Sequence, residues 1–186
     1  MIVEATPLPE TLLIRPDVFG DARGYFLESW SKRRYLEAGL DRDFVQDNLS
    51  YSRKGILRGL HFQNPNPQGK LVQVLQGAVF DVAVDIRLGS PHFGQWHGIL
   101  LSEENHHQFY IPEGFAHGFC VLSDTALFSY KCTDYYDAPS EYSLCWDDPD
   151  LGIAWPLAEA PLLSAKDQAG KLLRDFPREL LPVWRS

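Results

Sequence analysis

Between Lys70 and Thr133 the chain alternates strand-length apolar runs with turn residues: KLVQVLQ, AVFDVAVDIR, QWHGILL, HQFYIP, HGFCVLS and TALFSYKCT follow one another. Each run is rich in β-branched and aromatic residues, which fit a pleated, half-buried surface better than a helix. Gly77 divides the first two as a hairpin turn, Gly89-Ser90-Pro91 closes the second, Pro112-Glu113-Gly114 follows the fourth, and Ser123-Asp124 separates the last two. This regular punctuation predicts a β-sandwich or barrel. Helical patterning is confined to SKRRYLEAGL, with Ser31 as N-cap and Gly39 as C-cap, and to SAKDQAGKLLRDF, which predicts a helix near the C-terminus. No internal repeat, low-complexity tract or long linker breaks the pattern, so residues 1–186 read as a single, mainly β domain with a few short helices.

Composition narrows the function classes. At 45% hydrophobic the 186 residues are enough for one full core. A formal net charge of -8 excludes a protein that follows a nucleic-acid backbone, which needs a basic stripe, but leaves room for a local basic pocket that takes one small anion. The N-terminal MIVEATPLPE has no basic stretch followed by an apolar run, and no segment approaches the roughly 18 apolar residues of a membrane span. A soluble cytoplasmic protein with no membrane partner is expected. Cys120, Cys132 and Cys145 lack zinc-type spacing and read as free thiols, small buried hydrophobes in a reducing compartment.

Candidate chemistry sits in three segments that mix ionisable groups with glycine or proline: GILRGLHFQNPNPQGK at 55–70, IPEGFAHGF at 111–119 and YKCTDYYDAPSEYSLCW at 130–146. In the first, strand alternation turns 59, 61 and 63 to one side, so that His61 and Gln63 share a cavity, while Arg58 and Lys70 suggest an anion site. A barrel metal site built on a His-x-His pair is not matched, because the pair here is His61-Phe62-Gln63; His117, Glu113 and Gln63 remain as distant donors, short of a firm set of three ligands. His106 and His107 are adjacent, so on a strand they face opposite ways and cannot converge on one ion. Tyr130, Tyr135, Tyr136 and Tyr142 read as core and rim aromatics, any one of which can donate a proton or stack on a flat ring. Asp167 reads, on spacing alone, as an exposed helix-start carboxylate.

Five segments in order, FGDARGYFLESW, FVQDNLSYSRKGILRGLHFQ, GKLVQVLQGAVFDVAVDIR, YIPEGFAHGF and YKCTDYYDAPSEYSLCWDDPDLGIAWP, resemble the dTDP-4-dehydrorhamnose 3,5-epimerase family, from about residue 2 to the end. The resemblance implies a cupin-like jelly roll, a homodimer, no metal or organic cofactor, and a dTDP-4-keto-6-deoxy-sugar substrate. It also implies His61 as base, Asp167 as its carboxylate partner, Tyr130 as acid and Lys70 as the group that steadies an enolate oxygen. Arg23, Glu28, Gln46, Asp47, Asn48, Arg58, His117, Glu141 and Lys166 match positions around the nucleotide or sugar, and Tyr136 matches the aromatic that stacks on thymine. The activity implied is inversion at C3 and C5 in dTDP-L-rhamnose biosynthesis. Rival readings are a family member inverting one centre, a non-catalytic sugar-binding module, and a metal-dependent isomerase or oxygenase.

Overall fold

A computed structural model describes residues 1–184. Its strands, in chain order, are β1 Ile2–Ala5, β2 Leu12–Arg15, β3 Val18–Asp21, β4 Gly24–Leu27, β5 Gln46–Arg53, β6 Leu57–Gln63, β7 Lys70–Gln76, β8 Ala78–Asp85, β9 Trp96–Ser102, β10 Gln108–Ile111, β11 Phe115–Val121, β12 Thr125–Cys132 and β13 Glu141–Ser143. A six-stranded sheet runs β1-β2-β10-β7-β12-β5, and a five-stranded sheet runs β13-β6-β11-β8-β9. β3 and β4 stand apart as a hairpin. Every strand pair is antiparallel. The fold is the expected mainly β, cupin-like sandwich.

Apolar side chains from the two sheets meet in one interior layer: Val72, Val74, Phe109 and Phe128 from the six-stranded sheet against Val79, Ala83, Phe119 and Val121 from the five-stranded sheet. The near-continuous apolar character of β8 follows from burial on both faces. Val79 and Ala83 point into the sandwich, whereas Val82 and Val84 join Leu144, Leu173 and Phe176 under the C-terminal segment. At the turn between β7 and β8, Gly77 has φ +79°, and a Cβ there would lie 2.0 Å from the carbonyl oxygen of Thr125, so only glycine fits.

The helix α1, Lys32–Glu37, lies where SKRRYLEAGL predicts it and buries Tyr35, whose hydroxyl donates to Gln108 Oε1 at 2.6 Å. Near the C-terminus the expected helix over 164–176 is cut to one turn, α2, Ala165–Gln168, and a 3-10 turn at Leu173–Asp175. Between them the chain is drawn into strand-like pairing: Cys145 N–H donates to Lys171 O at 2.8 Å, and Lys171 N–H to Ser143 O at 3.3 Å. These tertiary bonds compete directly with the i to i−4 bonds that would have extended the helix, and they win because they anchor the segment over an apolar face.

Candidate active site

A cavity of about 450 Å³ opens between the sheets, walled by β6 and β11 on one side and by β5, β7 and β12 on the other. Its entry to the chemistry is a bulge. Opposite β11, His61 pairs with His117 but Arg58 pairs with Phe119, so β6 carries one residue more than its partner across this step. Gly59 makes the bulge possible: it has φ +127°, and a Cβ on it would lie 2.5 Å from the Cα of Gly118. Strict alternation would send Arg58 and His61 to opposite faces; with the extra residue both line the cavity.

His61 approaches Asp167 Oδ1 through Nε2 at 2.5 Å. Asp167 is only 3% exposed, and Ser164, the N-cap of α2, both receives the Asp167 N–H at 3.2 Å and donates its hydroxyl to Asp167 Oδ2 at 2.7 Å. The short helix therefore exists to present a carboxylate, not to cover a surface. Burial pushes the Asp167 carboxyl up, but the bonds from His61 and Ser164 outweigh it and hold it below the ordinary carboxylate value. For His61, burial outweighs the bond to Asp167, and Lys166 and Lys70 add to it, so the imidazole is neutral more readily than usual. With Nε2–H given to Asp167, the unprotonated nitrogen is Nδ1, which has no hydrogen-bond partner among the described residues.

Tyr130 enters from the opposing sheet, on β12. Burial raises its pKa, with the nearby Glu141 carboxylate adding to the effect, so the phenol stays protonated and able to donate. Lys70 opens β7, pairs in register with Cys132, and has no carboxylate within salt-bridge reach among the described residues; burial lowers its pKa. Arg58 is held by its Nε–H donating to Ser52 Oγ at 3.0 Å, which leaves most of its guanidinium fork toward the cavity. At the mouth, Glu141 accepts from Lys166 Nζ at 2.8 Å and from the Tyr136 hydroxyl at 2.9 Å. Chemically, the arrangement offers a neutral imidazole on one wall, a protonated phenol on the other, and an ammonium to stabilise an oxyanion. Among the described residues no group of three or more His, Cys, Asp or Glu is placed to hold a metal ion.

A family model described as dTDP-4-dehydrorhamnose 3,5-epimerase matches residues 5–175. The chain belongs to the dTDP-4-dehydrorhamnose 3,5-epimerase family. A family member from Neisseria gonorrhoeae is 58% identical over 166 residues, 89% of this chain, which spans about half (51%) of that relative. The epimerase of Methanothermobacter thermautotrophicus is 50% identical over 174 residues, covering 92% of this chain and 94% of the relative. The crystal structure of a dTDP-6-deoxy-D-glucose-3,5-epimerase from Legionella pneumophila, in complex with dTDP-4-keto-L-rhamnose, is 56% identical and superimposes with a TM-score of 0.97 over 100% of this chain and 99% of that one.

Of the residues expected from the family resemblance, the cavity gathers Arg58, His61, Lys70, His117, Tyr130, Glu141 and Lys166 as lining, with Asp167 behind His61. Gln46 and Asn48 share the inner face of β5, bonded to each other, and Gln46 Oε1 accepts from the Tyr136 N–H at 2.9 Å, which ties Tyr136 to the rim. Three are not brought together with the rest. Asp47 turns to the outer face, where it accepts from Lys131 Nζ at 2.8 and 2.9 Å. Glu28 accepts from Arg34 at 3.2 Å, and Arg23, 89% exposed, pairs with Asp21 at the tip of the β3–β4 hairpin. Gln63, expected to share the cavity with His61, instead braces the 135–137 loop, donating to Asn66 O and Tyr135 O and accepting from Asp137 N–H.

Sequence reasoning passed over Asp81. Fully buried on β8, it accepts from His117 Nε2 with both carboxylate oxygens, at 2.9 and 3.1 Å. A signal existed: an aspartate inside the apolar run AVFDVAVD is costly to bury without a partner. The role of Ser164 was equally visible as the first residue of SAKD, where a hydroxyl precedes a carboxylate by three positions.

Proposed function

We propose that this protein converts dTDP-4-dehydro-6-deoxy-D-glucose to dTDP-4-dehydro-L-rhamnose by inverting C3 and C5, as a step toward dTDP-L-rhamnose. The observation that carries the reading is the opposition, across one cavity, of the His61–Asp167 pair on one sheet and Tyr130 on the other, with Lys70 beside them. The Legionella relative, alike over its whole length, holds a dTDP-linked 4-keto sugar.

A ketone at C4 makes the hydrogens on C3 and C5 acidic, because each carbanion delocalises onto the ketone oxygen as an enolate. Inversion requires the proton to leave one face of the ring and another to arrive on the opposite face. His61 Nδ1 takes the proton, and Asp167 stabilises the imidazolium as it forms. Lys70 faces the developing enolate oxygen, an interaction worth roughly 3 kcal/mol in a site shut from water. Tyr130 then protonates the carbon from the far side, and proton exchange with solvent returns the imidazole and the phenol to their starting states before the second centre is inverted. Arg58 grips the diphosphate as a planar fork, Tyr136 stacks on thymine, and His117, Gln46, Asn48, Glu141 and Lys166 position the sugar and nucleotide. No step calls for an electron carrier.

The same reading makes the protein a single-domain, cytoplasmic homodimer. Support for the dimer comes from the β3–β4 hairpin, which leaves Phe19, Tyr25 and Phe26 exposed, Phe26 at 69%. If that hairpin packs on a second copy, Arg23 and Glu28 reach the partner's cavity, which reconciles their distance from their own. Support for a reducing location comes from Cys120, Cys132 and Cys145, all free thiols.

The test is NMR of the protein with dTDP-4-keto-6-deoxyglucose in deuterium oxide. Deuterium at both C3 and C5 with accumulation of the rhamno product is expected; exchange and inversion at one centre would establish the single-centre alternative. Full epimerisation by His61→Ala would refute the assignment of the base.

A further inference from the structure

We infer that Ser50 is a substrate-binding residue, whose hydroxyl donates to the phosphate that links the sugar to the nucleotide. The inference rests on the nucleotide-sugar reading of the cavity given above. Four polar side chains, Gln46, Asn48, Ser50 and Ser52, alternate along β5 on the face turned into the sandwich. Three of them are engaged within the protein. Gln46 bonds Asn48 and the Tyr136 backbone, Asn48 donates to Cys132 Sγ at 3.6 Å, and Ser52 accepts from Arg58. Ser50 is the exception: it lines the cavity, yet its Oγ is shielded from water and has no hydrogen-bond partner among the described residues.

Its surroundings do not explain a hydroxyl. In register Ser50 lies opposite Phe128, whose ring stacks on Phe119 at 4.2 Å, so an alanine would suit the free protein at least as well. A buried donor left unpaired is destabilising, and such a group commonly awaits a ligand. What it awaits follows from its position in the row. Asn48, two residues before, pairs in register with Tyr130, the acid that serves the sugar. Ser52, two residues after, anchors Arg58, the fork that serves the diphosphate. Ser50 thus sits between the level of the sugar and the level of the guanidinium, where a bound nucleotide sugar carries its sugar-side phosphate. A serine has one torsion to adjust, so its hydroxyl turns to a ligand oxygen without backbone movement.

The test compares wild type with Ser50→Ala and Ser50→Thr by calorimetric titration of dTDP-glucose and of thymidine monophosphate, and by thermal unfolding without ligand. The expected result for Ser50→Ala is a roughly tenfold weaker Kd for dTDP-glucose, as befits one hydroxyl bond to a charged oxygen. Its Kd for thymidine monophosphate, which lacks the sugar-side phosphate, stays unchanged, its ligand-free Tm is equal to or above that of wild type, and Ser50→Thr restores the binding of dTDP-glucose. A lower ligand-free Tm with unchanged affinity would assign Ser50 a structural role and overturn the inference, as would equal loss of affinity for both ligands. Wild-type protein that fails to bind dTDP-glucose would overturn the substrate reading itself, and this assignment with it.

Discussion

Replacing Asp167 by asparagine keeps the size of the side chain and removes its charge, so it separates what the carboxylate does for His61 from what it does for packing. Two effects are expected, of different size. The first is loss of a charge-assisted hydrogen bond to the imidazolium that forms as the proton leaves carbon; with the pair at 2.5 Å and Asp167 3% exposed, that bond contributes about 1.5–3 kcal/mol, or roughly 10- to 150-fold in rate. The second concerns the tautomer. Ser164 donates to Asp167 Oδ2, which in the variant fixes the asparagine oxygen on that side and turns its amide N–H toward His61 Nε2. Nε2 then accepts, the imidazole proton moves to Nδ1, and the nitrogen that faces the cavity is no longer a base.

Together the two effects predict a fall in kcat of roughly 10³- to 10⁴-fold, comparable with the same change in serine proteases, where a misplaced tautomer is the cause. The assay is the rate of deuterium wash-in at C3 and C5 alongside the rate of product formation, with the Kd for dTDP-glucose as control for folding and binding. Both rates should drop in parallel while the Kd holds within about threefold. A variant within tenfold of wild type would refute the account, since even the charge effect alone predicts more. A loss confined to 10- to 150-fold would refute the tautomer step and leave the charge step standing.

The pH profile should be limited on both sides by groups whose pKa burial lowers, so that both limbs move toward acid. His61, its pKa lowered from 6.5 chiefly by burial, must be neutral to act, so activity falls on acidification only below pH 6.5; the same depressed pKa, with that of Asp167 below 3.8, makes stability present at neutral pH and lost as acid protonates first the imidazole and then the carboxylate. Lys70, lowered from 10.5 by burial, must be charged, so the alkaline limb lies below pH 10.5, and Lys70→Gln should remove that limb while reducing kcat roughly 10²- to 10³-fold, read from kcat against pH. Phe26→Asp in the exposed hairpin should shift sedimentation from dimer to monomer and weaken kcat/KM together with it; a monomer of unchanged kcat/KM would refute the shared site.

Much of this architecture is legible in the sequence because it follows local rules. The runs KLVQVLQ and TALFSYKCT become β7 and β12, and Gly77 turns as glycine must, since alternation and turn chemistry act over a few residues. The side chains that matter were less legible wherever a long-range contact decides. Asp167 reads as an exposed helix start and is buried against His61, 106 positions away. Arg58 and His61 share a cavity only through a bulge that alternation cannot foresee, and the C-terminal helix yields to pairing with Ser143 and Cys145 that no helical propensity encodes. Where periodicity ran out, family resemblance singled out residues of which the structure gathers some in one cavity and not others: Asp47 turns to the face opposite its neighbours Gln46 and Asn48, because adjacent residues of a strand must.

The acidic chain and its anionic ligand present the same contrast between global and local properties. A net charge of -8 would repel a nucleoside diphosphate if it were spread evenly. It is not. The cavity is lined by three cationic side chains, Arg58, Lys70 and Lys166, against the single carboxylate of Glu141, and that carboxylate is already covered by Lys166 and the Tyr136 hydroxyl. Asp167 and Asp81 stand behind lining residues, bonded to His61 and to His117 respectively. A ligand in the cavity therefore meets mainly cationic side chains, while part of the acidic surplus, Asp21, Asp43 and Asp124 among it, is paired with the surface cations Arg23, Lys32 and Lys54. Charge placement, and not charge balance, is what the proposed reading requires of an acidic protein that takes a diphosphate, and it leaves Lys70, whose pKa burial lowers, among the lining groups with no carboxylate paired to it among the described residues, where the charge of a proposed enolate would find it.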